Sequence, residues 1–432
     1  MKNKKETILD DKKVFVFTNG CERRSTDTKK ISTYLLKNNY KVINNPKDAD
    51  YIIFVTCAFV QRMVDNCVET IKKFKKYDAE LIVAGCMPEI AGEELKSIFD
   101  GKTINTKDID TIDEIFKDNT TKFGYLDDEH FVWRNFNPLG ISAEPINTFK
   151  NIMRQVKLIG RMYEIIKENI LKKIFGNVFP FNLLYNERKN RYIVTISRGC
   201  IHNCSYCAIK KAVGPLESKS INQCIDEFKL GLKEGYKDFE LAADDVGPYG
   251  IDIKKTLPEL LDKITKIEGD YAISFQNTHP SWIIRYADDF EEILKRKKIK
   301  YMLFSIQAGN NRVLKLMRRS YTKESLIDIV SRIKKADPDL KIGAELMVGF
   351  PSETWDEFME TLELFEKISF DKGTMAACSL IEGTEAINME PKISRGEMRK
   401  RIRTALKFLR KKGYHAWYSR FWKGIAFHKK IE

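Results

Sequence analysis

The chain has 432 residues, 75 Lys and Arg against 61 Asp and Glu, a formal net charge of +14 and nine cysteines. At 43% apolar and 31% charged it has the composition of a folded protein of two or three domains, which excludes disordered and fibrous classes. No run approaches the roughly 18 apolar residues of a membrane span, and the polar stretch Met1 to Lys13 does not suggest a secretory signal. The expected compartment is therefore the cytoplasm, where thiols stay reduced and cysteines serve as core residues, metal ligands or catalysts.

From Lys13 to about residue 120, short β-branched runs alternate with helical stretches. VFVF (Val14–Phe17), YIIFVT (Tyr51–Thr56) and LIVAG (Leu81–Gly85) read as buried strands. Between and after them, Ser25–Asn38, Phe59–Lys76 and Glu89–Phe99 have helical period. Such βα alternation predicts a parallel sheet covered by helices, an α/β domain over residues 1–125.

Residues 126–190 read as a linker with one basic, apolar-striped helix from Phe149 to Phe175, expected to pack on a neighbouring domain rather than a membrane. From Arg191 the rhythm resumes. YIVTIS, Phe239–Ala243, Tyr271–Phe275, Tyr301–Ile306, Ile342–Val348 and Thr374–Ile381 read as strands, separated by helices such as Ser220–Glu234 and Ser281–Lys297. Six βα units over 191–393 predict a partial (β/α)6 barrel with its chemistry at the carboxyl ends of the strands. Residues 394–432 read as a basic helix, Ser394–Lys412, followed by an aromatic tail.

The charge is local. Residues 395–432 hold 13 Lys and Arg against Glu397 and Glu432, and residues 145–185 hold seven against two Glu. The rest of the chain is close to neutral. The tail interleaves cations with Tyr414, Trp417, Tyr418, Phe421 and Trp422, which suits phosphate contact and base stacking. It equally suits a solvated helix whose aromatics close the barrel.

Six cysteines form two sets. Cys200, Cys204 and Cys207 stand in SRGCIHNCSYCAIK, directly after the first strand of the second series. Three thiolates there can hold three irons of a cubane and leave the fourth open. A tetrahedral zinc site would need a fourth ligand, and His202 is too close in sequence to serve. Cys21, Cys57 and Cys86 each follow a predicted strand, in NGCERR, VTCAFV and AGCMPE. Successive parallel strands bring all three to one sheet edge. Cys67, Cys224 and Cys378 fall within helix or strand patterns and read as packing residues.

The CxxxCxxC loop resembles the signature of the radical S-adenosylmethionine (SAM) superfamily. Two three-cysteine sets in this order resemble the methylthiotransferases among them. Tyr249-Gly250, His279-Pro280, Gln307–Thr322, GFPSET (Gly349–Thr354) and EGTEA (Glu382–Ala386) match family segments in order.

The resemblance implies a flavodoxin-like N-terminal sheet domain, a radical SAM barrel, two 4Fe-4S clusters and SAM. Cys200, Cys204 and Cys207 would ligate the cluster that cleaves SAM to a 5′-deoxyadenosyl radical, and Cys21, Cys57 and Cys86 the cluster that carries or donates sulfur. Glu345, Gln307, Arg319, Asp245 and Tyr206 match positions near the cofactor.

The chain also departs from the family pattern. The small C-terminal β-barrel (TRAM) domain is not expected after residue 409. Lys210 and Lys211 stand near the usual Pro and Arg, Asp244-Asp245-Val246 replaces Gln-Asp-Thr, and Ser352 occupies a usual Gly position. The expected activity is methylthiolation of an unactivated C–H bond in a macromolecule, with a lean to a peptide or protein. A tRNA nucleoside, or sulfur insertion without methylation, are the alternatives. The expected electron donor is a flavodoxin or ferredoxin, the expected state a monomer, and no membrane partner is expected.

Overall fold

A computed structural model describes residues 12–126, 131–132, 191–419 and 423–430. The linker helix expected over Phe149–Phe175 lies outside these residues, as do Phe421 and Trp422. The chain divides into two compact units, Met1–Lys189 and Asn190–Glu432.

In the first unit, β1 (Lys13–Thr18), β2 (Lys41–Ile43), β3 (Tyr51–Thr56), β4 (Glu80–Gly85) and β5 (Thr103–Asn105) form a parallel sheet in the order 2-1-3-4-5, the flavodoxin-like arrangement. Both faces are covered. Val14 and Val16 pack with Ile31, Tyr34, Ile53, Val55 and Ile82, while Phe15 and Phe17 form an aromatic cluster with Phe54 and Phe74. Burial on both sides is why these strands read as unbroken apolar runs. The helices Glu22–Lys37 and Gln61–Phe74 match two of the three expected. The third breaks into Met87–Ile90 and Gly92–Lys96 at Ala91, whose φ of −127° is not helical. Sequence reading missed β2 and β5, three-residue edge strands too short to show a period. A two-residue strand, β6 (Phe131–Val132), is also described.

In the second unit β7 (Arg191–Thr195) leads to a pair of antiparallel two-residue strands, β8 (Ser197–Arg198) and β9 (Glu217–Ser218). The parallel strands continue with β10 (Asp238–Ala242), β11 (Ala272–Thr278), β12 (Ile299–Gln307), β13 (Lys341–Val348) and β14 (Lys372–Ala377), paired successively from β7 to β14. These are the six parallel strands of the partial barrel. Helices Ile221–Lys233 and Trp355–Lys367 begin with capping boxes at Ser220 and Thr354, which fixes where each strand–helix loop ends. The helix expected over Ser281–Lys297 is two, Pro280–Arg285 and Ala287–Leu294, broken at Tyr286.

The tail is built into this unit. After the helix Arg395–Lys411, strands β15 (Tyr414–Ser419) and β16 (Gly424–Lys429) form a hairpin, and β16 pairs antiparallel with β14. Phe365 packs edge-on against Tyr414 and Phe427 beneath it. The helix is pinned by Arg401, whose guanidinium donates to the Glu353 carboxylate and carbonyl, both buried. The sequence reading assigned no strands to the aromatic tail, which forms two of six residues each. Among the described residues no helix is long and apolar enough to cross a membrane.

Candidate active site

The first site is built by register. β1 pairs with β3 and β3 with β4, all parallel, so Cys21, Cys57 and Cys86 leave the same carboxyl edge. Gly85 makes the last approach possible: at φ +99°, a Cβ there would lie 2.4 Å from the Thr56 carbonyl oxygen. That contact lets the Cys86 N–H donate to the same oxygen at 3.1 Å. Cys57 and Cys21 lie in hydrogen-bonding reach; the bond pushes Cys57 up and holds Cys21 down. Arg23 and Arg24 add positive charge beside Cys21, which also opens the helix Glu22–Lys37, so this thiol is the readiest to ionise. Buried Arg24 also reaches Cys86 Sγ at 3.6 Å. Sequence reading passed over Arg24; its place in the first helical turn after Cys21 was the available signal. Cys67 is a packing residue, pushed up to about 12 by burial, whose thiol donates to the Cys57 carbonyl at 3.3 Å.

The second site is a loop between β8 and the helix Ile209–Val213. It begins at Gly199, where φ is +80° and a Cβ would collide with the Pro215 carbonyl oxygen at 1.6 Å, so only glycine fits. The loop is tied to the segments that follow three strands. The Gly199 N–H donates to Asp244 at 2.9 Å, Ser205 Oγ to the Leu316 carbonyl at 2.7 Å, and the Ala386 N–H to the Ser205 carbonyl at 2.9 Å. These partners follow β10, β12 and β14, so the barrel positions the cysteines. Burial pushes Cys200 up to about 12 and raises Cys207 as well. As free thiols they stay protonated, and iron would have to drive their ionisation.

Asp245 is committed to protein partners: it accepts from the Gly247 and His279 N–H groups, both at 3.1 Å, and lies 2.8 Å from His202 Nε2. The His202 ring stacks on His279 at 3.9 Å. Asp245 thus braces the cysteine loop through His202, a residue that sequence reading had weighed only as a zinc ligand. His279 caps the helix Pro280–Arg285 and is held neutral chiefly by burial.

Arg319 is buried against this loop. Its guanidinium donates to Cys204 Sγ at 3.4 Å, to the Tyr206 hydroxyl at 3.5 Å and to the Ser305 carbonyl. Its Nε, also buried, has no hydrogen-bond partner among the described residues, leaving one donor for an anionic group. Tyr206 meets Phe350 of the GFPSET segment edge-on.

In the carboxyl-terminal halves of β12 and β13 fully buried residues alternate with half-buried ones, those of β13 pairing in register with Thr374 and Ala376 of β14. The half-buried set, Ser305, Gln307, Glu345, Met347, Thr374 and Ala376, lines the open face of the barrel. Ser305 pairs in register with Glu345 and donates to its carboxylate at 2.9 Å. Gln307 ends β12 with φ +76°.

No three His, Cys, Asp or Glu among the described residues converge tightly enough to hold a single metal ion. A cubane spreads its thiolates over separate irons, so two spaced sets of three cysteines suit clusters and not one ion. The structure thus defines a flavodoxin-like sheet and a partial barrel, each carrying a three-cysteine edge.

The chain matches the Radical SAM superfamily over residues 194–365 and the Uncharacterized protein family UPF0004 over residues 13–106. It is 30% identical to the ribosomal protein uS12 methylthiotransferase of Thermosipho africanus over 82% of this chain and 72% of that one. It is 27% identical to a probable threonylcarbamoyladenosine tRNA methylthiotransferase of Pyrococcus horikoshii, over 87% and 78%. Its fold is similar to that of the radical SAM methyltransferase TsrM from Kitasatospora setae, with a TM-score of 0.59, 11% identity and 87% and 77% coverage. The chain belongs to the radical SAM methylthiotransferase family. It is a radical SAM transferase, and its family uses SAM and two 4Fe-4S clusters.

Proposed function

We propose that this protein methylthiolates a nucleoside of tRNA, with Cys200, Cys204 and Cys207 holding one cluster and Cys21, Cys57 and Cys86 the other. When bound, the first supplies the electron that cleaves SAM and the second carries or donates the sulfur. Arg319 Nε, the Tyr206 hydroxyl, Gln307 and Glu345 offer polar contacts to SAM. Asp245 acts one step back, by holding the loop. Domain limits near residues 126 and 190 fit this division of labour.

The observation that carries the RNA reading is the outer face of the helix Arg395–Lys411. Arg395, Arg399, Arg403, Lys407 and Lys411 recur every fourth residue, all exposed, and none forms an ion pair among the described residues. That spacing makes a continuous row along the helix surface, a spacing of cations suited to phosphates. The adjoining hairpin exposes His415 and half of Tyr418, and His415, Trp417 and His428 cluster with ring centroids 5.0 to 5.8 Å apart. Such rings give bases a surface to stack on. The lean toward a peptide rested on the C-terminal barrel that is not expected here and on the linker, and the linker lies outside the described residues. The similar proteins include enzymes named for both substrate classes, tRNA and uS12.

The test is charge reversal. Arg399→Glu, Arg403→Glu and Lys407→Glu together should weaken tRNA binding about 10- to 100-fold near 0.1 M salt and flatten the log–log salt slope by about 2. Mass spectrometry of tRNA and of uS12 after reaction should show a methylthio group on the RNA alone. Unchanged tRNA affinity, or modification of the protein alone, would overturn the reading.

A further inference from the structure

On the surface of the barrel unit, a cleft of about 280 Å³ is lined by Asn203, Cys204, Cys207, Lys210, Lys211 and Arg318, among others. It opens between the cysteine loop, the turn after the helix Asn311–Leu316 and the Gly383–Glu385 loop. Lys210, Lys211 and Arg318 are exposed. Arg318 pairs with Glu385, whereas Lys210 and Lys211 form no ion pair among the described residues. The rim is therefore net positive, with one carboxylate and three cations. Both lysine side chains lie on the outer side of the helix Ile209–Val213, whose buried residues are Ala212 and Val213.

We infer that this rim is the docking surface of an acidic, low-potential electron-carrier protein. The inference rests on the proposed assignment of Cys204 and Cys207 as cluster ligands. A radical SAM reaction needs one electron per cleavage. The carrier loses that electron and the cluster gains it, with no atom or proton passing between the partners. Transfer needs the two redox centres close together, and this cleft is a place where solvent-exposed surface includes two cluster-ligand residues. Opposite charge on such a rim accelerates encounter and orients the carrier without tight binding. Redox encounters of this kind bury small interfaces, under about 1,200 Å², so two or three cations beside the cluster are a sufficient recognition patch. RNA fits it less well. The patch is short and interrupted by Glu385, while a long unpaired row of cations is available on the helix Arg395–Lys411.

The test uses the reconstituted full chain and its Lys210→Glu/Lys211→Glu variant, with flavodoxin hydroquinone as the carrier. Stopped-flow bleaching of the cluster absorption should slow at least tenfold in the variant, and flavodoxin affinity by titration should fall similarly. Reduction by photoreduced 5-deazariboflavin, a small reductant without the carrier's acidic surface, should stay within twofold. The neutral Lys210→Gln/Lys211→Gln variant should fall between. Flavodoxin-driven bleaching and affinity unchanged within twofold would overturn the inference, as would a loss of tRNA affinity with flavodoxin affinity intact. Equal slowing with both reductants would also overturn it, since that indicates a damaged cluster site. Failure of the wild type to modify tRNA would refute the substrate reading alone, because bleaching and affinity are read without substrate.

Discussion

Replacing any one of Cys200, Cys204 and Cys207 with Ala is expected to reduce 5′-deoxyadenosine formation by at least about a thousandfold, the scale on which cofactor chemistry exceeds what the protein does alone. The reason lies in the loop. Each cysteine is the sole thiol at its place, and the neighbouring groups that could substitute are engaged: His202 with Asp245, and Ser205 with Leu316. Reconstituted variants should lose about half their iron, since each set of three cysteines is read as one of two clusters. The same change at Cys21, Cys57 or Cys86 should also remove about half the iron but leave 5′-deoxyadenosine formation largely intact, with no sulfur in the product. Chromatography of the nucleoside, with iron and sulfide analysis, measures both. If the two sets gave the same phenotype, the division of roles between the units would be wrong.

Arg401→Ala is expected to destabilise the barrel unit by about 1–3 kcal/mol, the cost of leaving the buried Glu353 carboxyl and carbonyl without their hydrogen-bond donor. Arg401 and Glu353 side chains are 3% and 0% exposed. Burial pushes the Glu353 carboxyl up to about 7, outweighing Arg401 and the Gly349 N–H, which favour its charged form. The folded state therefore holds a proton on Glu353 that the unfolded chain, with an ordinary carboxylate value near 4.5, releases earlier. Stability from this group is fully present below about pH 4.5 and is lost as pH rises through 7, at up to about 1.4 kcal/mol per pH unit. Glu353→Gln should remove that slope. Urea unfolding between pH 5 and 7 measures it, and a wild-type slope equal to that of Glu353→Gln would sink the assignment. The double variant Glu353→Leu/Arg401→Met should recover most of the stability that Arg401→Ala loses, because an apolar pair of similar volume needs no desolvation of charge.

The same pair explains why the sequence left open whether the tail belongs to the barrel. Arg401 is one of 13 cations in its segment, and nothing local distinguishes it from Arg399 or Arg403, which face outward. Only the approach of Glu353 makes it a buried anchor. Ser352 is similar. It has φ +62°, a conformation that favours the glycine usual there in the family. It is held by its N–H donating to the Pro391 carbonyl and by Arg312 donating to its own carbonyl, at 2.8 and 2.7 Å. Those contacts span some 40 residues of sequence in either direction.

By itself the sequence determined the α/β class, the parallel strands and the two cysteine sets, because these depend on local information. Buried strands are continuous apolar runs, and ligands at strand ends follow from spacing and strand direction. Its excess charge of +14 could also be placed in two segments by counting. Which cations face solvent was decided only by the tertiary structure. So were the return of the tail as a hairpin on β14, and the bracing of the cysteine loop by Asp245, His202 and Arg319. Each of these depends on a pairing between residues far apart in the chain, where the energy lies in burial and hydrogen-bond geometry that no local pattern encodes.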